Sequence, residues 1–165
     1  MGKVARAVLS LMLLLPAGFA AAQDKRVSCD ILGQIDLKPL LGADHDPIRP
    51  FGKGGCQAET KAIGRGLVIL TVEEGPPAEI RKGLAGIRQI NMKELAKEVK
   101  VVPEKDLGPE AFSVHDNDKR KIEIYALKGN RAVIVQGMWA IGPTLDDRIV
   151  GQLRGVAKSA LDKLP

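Results

Sequence analysis

The sequence predicts an α+β domain in which a mostly antiparallel sheet of about five strands is packed by two to three helices. Three observations predict it. Gly129-Asn130 separates the alternating runs Lys121 to Lys128 and Arg131 to Met138, which is a hairpin signal. Leu67 to Val72 is an unbroken apolar and β-branched run bounded by glycines and prolines, as a buried strand should be. Two long amphipathic patterns, one following Pro76-Pro77 and one reaching the C-terminus, supply helices.

The first element is a leader. Lys3 and Arg6 precede the apolar run Ala7 to Leu15, a break at Pro16-Ala17-Gly18, and Ala20-Ala21-Ala22 before polar Gln23-Asp24-Lys25. That order is a cleavable signal peptide over residues 1–22, and it leaves residues 23–165 as a single exported α+β domain. The apolar run is too short for a membrane span, which needs about 20 residues. Cys29 follows Lys25-Arg26-Val27-Ser28 rather than small residues, so no lipid anchor is expected and the product is periplasmic or secreted. Export makes Cys29 and Cys56 a disulfide bond closing a loop of about 28 residues, worth about 3 to 4 kcal/mol in the chain-entropy account. Removing Lys3 and Arg6 lowers the formal charge of +5 by two, and aromatic residues make up only 3%. Stacking platforms for nucleic acid are therefore missing, and no nucleic acid partner is expected.

Asp30 to Leu41 carries apolar residues at helical spacing, with a short helix ending near Lys38. Gly42 to Gly55, rich in Gly, Pro and Asp, is a surface loop tied back by Cys56. Cys56 to Ala62 suits an edge strand, Leu67 to Glu73 a buried one. Pro at a first turn followed by Glu79 starts a helix whose apolar face is Ile80, Leu84, Ile87, Asn91 and Leu95, with a break expected near Ile90 to Met92 because Gly83 and Gly86 weaken it. Lys97 to Val102 is a further short strand, and Glu104 to Arg120 is loop-like. A type II′ turn at Gly129-Asn130 then sets the hairpin register, pairing Lys128 with Arg131, Ala126 with Val133, Ile124 with Val135 and Ile122 with Gly137. The other face carries Leu127 with Ala132, Tyr125 with Ile134 and Glu123 with Gln136. It is half apolar and calls for a cover: the N-terminal helix, a partner or a ligand. Thr144, with Asp147 three residues on, is the expected cap of the last helix and Asp146 also suits its start; the inner stripe is Leu145, Ile149, Leu153, Val156, Ala160 and Leu164. Lys158 and Lys163 complement its C-terminal end.

Chemistry-bearing groups are sparse. The two histidines stand in Asp44-His45-Asp46 and His115-Asp116-Asn117-Asp118, and if these loops met, His45, Asp46, His115 and Asp116 could hold a divalent metal such as zinc. Ser28, Ser113 and Ser159 lie outside any nucleophile elbow, and the nearness of Ser113 to His115 in sequence is not triad geometry. No carboxylate pair stands out. No cofactor motif is present. Lys93, Lys97 and Lys100, with Arg81, Lys82 and Arg88 on the same segment, form a basic stripe suited to an anionic surface or to plain solvation. The loop Pro47 to Lys53 presents Ile48, Arg49, Phe51 and Lys53, which either contact a partner or fold onto the sheet. Tyr125 and Ile134 on the open hairpin face are further partner-binding candidates.

The arrangement of Cys29, Cys56, Leu107-Gly108-Pro109-Glu110-Ala111-Phe112 and the span Ile122 to Val135 across Gly129-Asn130 resembles a group of small exported bacterial sandwich domains. These include the extracytoplasmic sensor domain of mycobacterial serine/threonine kinases and the extrinsic P-subunit of photosystem II. The resemblance implies a fold and a binding role and transfers no functional residue. The expected function is a non-enzymatic periplasmic or secreted binding domain for a protein or cell-envelope component, in the manner of an inhibitor or immunity protein against a secreted hydrolase. A metal-binding protein or metal-dependent enzyme built on the two histidine loops is the alternative. No stable membrane anchor is expected.

Overall fold

The computed structural model describes residues 27–61, 66–95, 97–140 and 144–165; the leader expected at 1–22 lies outside them. In chain order the elements are helix α1 (27–32), α2 (Lys38–Leu41), strands β1 (Arg49–Phe51), β2 (Gly55–Glu59) and β3 (Leu67–Glu74), and helix α3 (Pro77–Lys93). Then come β4 (Val99–Pro103), a 3-10 turn at Lys105–Leu107, β5 (Phe112–Asp116), β6 (Lys121–Lys128), β7 (Arg131–Met138) and α4 (Asp147–Lys163). The strands form one seven-stranded sheet in the order β1-β2-β3-β7-β6-β5-β4, antiparallel at every pairing. An α+β architecture on an antiparallel sheet is thus present, with two more strands than the five expected and with four helices among the described residues.

The β6–β7 hairpin is the centre of the sheet, and all seven expected cross-strand pairs are formed. Gly129 has φ 64°, whereas Asn130 has no positive φ, as a type II′ turn requires. One face of this hairpin, Ile122, Ile124, Ala126, Val133 and Val135, continues into Val68, Leu70 and Val72 of β3. It is covered by α4 through Ile149, Val150, Leu153, Val156, Ala157, Ala160 and Leu161. Gly137 makes that approach possible: a Cβ there would lie 2.5 Å from Leu153 Cδ1.

The disulfide joins α1 to β2, Cys29 to Cys56, with the Cα atoms 5.0 Å apart. Beside it, the buried Ser28 hydroxyl accepts from the Val72 N–H at 3.0 Å and donates to the Gly54 carbonyl at 2.6 Å. The N-terminal helix is therefore held to the β1–β2 hairpin and to β3 by a covalent bond and two hydrogen bonds that water cannot replace.

Several elements differ from expectation, each for a physical reason. β1 falls within the stretch assigned to a surface loop, because a three-residue strand with Pro50 and wholly exposed side chains has no alternation to detect. It makes β1, not β2, the edge of the sheet. β5 falls in the loop-like segment: Phe112 and Val114 point to one face, while Ser113 and His115 supply the other with polar groups that resemble a turn. α3 is unbroken to Lys93, since Ile80, Leu84 and Ile87 pack on the sheet and outweigh the low helix propensity of Gly83 and Gly86. The cap of α4 is Asp146, whose carboxylate accepts from the Ile149 N–H at 2.8 Å, rather than Thr144. The half-apolar hairpin face with Tyr125 and Ile134 is packed by α3, not by the N-terminal helix.

Two outcomes follow for stability. Replacing both Cys29 and Cys56 with Ala should lower unfolding free energy by about 3 to 4 kcal/mol in urea titrations, and an unchanged midpoint would contradict the staple. Gly137→Ala should cost about 1 to 3 kcal/mol through forced displacement of buried Leu153, measured in the same way.

Candidate functional site

α3 carries two stripes. Ile80, Leu84 and Ile87 pack on Phe112, Val114, Tyr125, Leu127 and Ile134 of the sheet. A second stripe, Arg81, Ala85, Arg88, Gln89, Met92 and Lys93, recurs at three- and four-residue steps and faces the segment Pro109 to Phe112. Between helix and segment runs an open groove of about 430 Å³, within the size range of small-ligand sites.

The floor of the groove is apolar and closely packed. Phe112 is 1% exposed and stacks on Tyr125, with ring centroids 4.8 Å apart and planes at 18°. The Tyr125 hydroxyl donates to Glu123, and burial, together with that carboxylate, holds its pKa above the ordinary tyrosine value, so the ring stack carries a neutral phenol. Glu123 also accepts from the Gln136 amide at 3.1 Å and pairs with Lys121 at 2.7 Å. The rim is basic. Arg81 Nε donates to Glu110 Oε2 at 3.1 Å across one end, and the Arg88 guanidinium lies 5.9 Å from the centre of the Phe112 ring. Neither Arg88 nor Lys93 forms an ion pair with another described residue. Of the four large apolar side chains exposed among the described residues, Ile90, Met92 and Leu95 lie on α3 or directly after it.

A second cluster sits on the opposite face of the sheet, between β5 and α4. Arg154 grips Glu104 through both carboxylate oxygens, Nε to Oε2 at 2.7 Å and Nη2 to Oε1 at 3.0 Å. The Ser113 hydroxyl donates to Glu104 Oε1 at 2.6 Å, and His115 Nε2 lies 2.8 Å from the same hydroxyl. A serine has one hydroxyl hydrogen, and here it is directed to Glu104, so the imidazole Nε2–H must be the donor to Ser113 Oγ. The imidazole therefore cannot take the hydroxyl proton, and Ser113 is fully buried. This is the reverse of the wiring that activates a nucleophile. The strand period brings Ser113 and His115 together.

The remaining sequence candidates lie apart. His45, its Nδ1 2.8 Å from the Asp46 carbonyl, stands beside β2, and Asp46 is bonded to Glu59 of that strand. β3, β7 and β6 separate it from His115 and Asp116 in β5, so the two histidine loops do not meet. Among the described residues no group of three His, Cys, Asp or Glu side chains could hold a metal ion. In the 47–53 loop Ile48 packs against the core, Arg49 pairs with Glu59 at 3.2 Å, and Phe51 and Lys53 are exposed. Tyr125 and Ile134 are packed beneath α3. The basic stripe divides: Arg81, Arg88 and Lys93 line the groove, whereas Lys97 and Lys100 lie beyond the helix end. Sequence reasoning missed the groove because its far wall, Pro109 and Glu110, comes from a segment with no periodicity. The only signal was the second stripe on α3. A further hollow between α2 and α4, lined by Gln34, Asp36, Leu40, Gln152 and Lys163, has mixed walls with no comparable concentration of one charge.

No family model, curated protein or solved structure matches the chain.

Burial holds the His115 pKa below the ordinary histidine value of 6.5; the charges of Arg154 and Lys100 act in the same direction, against those of Glu104 and Asp116. The folded state then resists protonation more than the unfolded chain does, so this contribution to stability is present above about pH 6.5 and is lost as pH falls. His115→Gln should therefore make stability fall less steeply between about pH 7 and pH 5 than in the parent, as read by urea midpoints. Parallel profiles would show that the imidazole carries no such linkage.

Proposed function

We propose that this chain is an exported, non-enzymatic binding domain for a protein or cell-envelope component, and that its recognition surface is the groove between α3 and residues 109–112. The observation that carries this reading is the composition of the groove: an apolar floor closely packed through the Phe112–Tyr125 stack, under a rim with two cations that no described carboxylate neutralises. A helix that merely covers a sheet needs one apolar stripe, and charges on its outer side are usually distributed toward water. Here Met92, which lines the groove, is 55% exposed.

Two features support the rest of the reading. The disulfide fits an oxidising compartment, and no helix among the described residues is long and apolar enough to cross a membrane. Among the described residues, the cluster that joins Ser113, His115 and Glu104 has a fully buried serine and is wired against nucleophilic chemistry.

A photoreactive residue at Met92, in the protein expressed with its own leader, should form a specific adduct that Arg88→Glu abolishes. The same probe at Phe51 should not form it. An adduct only at Phe51, or turnover of a defined substrate by the pure protein, would contradict the reading.

A further inference from the structure

We infer that the groove selects a single-chain anionic amphiphile: an apolar chain lying on the exposed Ala85, Met92 and Pro109, with its anionic head held by Arg88 and Lys93. This rests on the groove being the recognition surface and adds the class of ligand.

Three observations carry it. The first is charge. Arg81, Arg88 and Lys93 face the groove against a single carboxylate, Glu110, which Arg81 already engages. The surplus is positive and lies toward one end, so an anion is favoured there and a cation is repelled. Arg88 stands more than a turn before the end of α3, beyond the range at which the negative end of the helix dipole opposes an anion, and Lys93, the last residue of the helix, sets its own positive charge against that end.

The second is length. Arg81 to Lys93 spans about 18 Å at the helical rise, so the groove is elongated along the helix, as an extended chain needs. Met92 can adapt its thioether to such a chain.

The third is the shortage of partners for a peptide backbone. One wall is a helix whose amides are bonded within it. On the other, Pro109 has no N–H, the Ala111 N–H donates to the Gly108 carbonyl, and the Ala111 carbonyl accepts from Glu104, so Glu110 alone would have an N–H to offer and no run of partners for a strand exists. An extended peptide would bring a row of donors and acceptors with little to receive them, at a cost of about 1 to 3 kcal/mol for each group left unpaired and dry. A methylene chain brings none, and its burial is favourable throughout.

Titration calorimetry on the full-length exported protein, with dodecanoate below its micelle concentration, tests this. Saturable one-to-one binding is expected, with dodecyltrimethylammonium weaker by on the order of tenfold or more, because the head charge is reversed. Arg88→Gln should weaken dodecanoate by about tenfold, and Ala85→Trp, at an exposed position, should block it by filling the groove; circular dichroism confirms that each variant folds. Equal affinity for the two head groups, undiminished binding in both variants, or no dodecanoate binding would overturn the inference. Binding to anionic phospholipid vesicles without binding of dodecanoate would assign a membrane surface instead and overturn it too. If an acidic peptide binds in an Arg88-dependent way and dodecanoate does not, the ligand class falls while the groove stands. Loss of the Met92 adduct would remove both.

Discussion

The rest of the structure depends on a sheet whose central strands are apolar on both faces. β3, β7 and β6 present Val68, Leu70, Val133, Val135, Ile122 and Ile124 to one side and Tyr125, Ile134 and Ile69 to the other. Neither side can be left to water, so each needs a helix. The two helices meet that demand unequally. α4 buries seven residues, and Gly137 lets it settle directly on the strands. α3 is equally long but buries only Leu84 fully, with Ile80 and Ile87 half-covered. The helix that covers least is the one with a second face to offer.

That inequality locates the polar groups as well. On the α4 side, the charges that enter the interior are closed among themselves: Arg154 on Glu104, Glu104 on Ser113, Ser113 on His115. A closed set of this kind fixes geometry and leaves little reactivity. On the α3 side, Arg88 and Lys93 remain without carboxylate partners among the described residues, above a stacked aromatic floor. The same fold thus holds one polar cluster that is satisfied and one that is open.

Much of the architecture was legible in the residues. A two-residue turn fixes register, so Gly129-Asn130 determined every pair from Lys128–Arg131 to Ile122–Gly137. The disulfide followed from two cysteines behind an expected leader, and the inner stripe of α4 from its period. What escaped detection depended on contacts distant in sequence. β1 is ordered by its pairing with β2, and β5 by its place between β4 and β6, not by their own patterns. The face of Tyr125 and Ile134 looked open because a sequence does not say which helix crosses which side of a sheet. For the same reason Arg81, Arg88 and Lys93 could be read only as a stripe. The segment that converts the stripe into a groove is set opposite it by β5, the strand that the sequence hid.

Hydrogen exchange along the chain, followed with and without saturating dodecanoate, tests the central claim most directly. Slower exchange should appear in residues 81–93 and 108–112, where the ligand would hold the less firmly packed helix against its opposite wall, with β3, β6, β7 and α4 unchanged. Protection confined to residues 47–55, or no change in α3, would contradict the assignment of the groove as the binding surface.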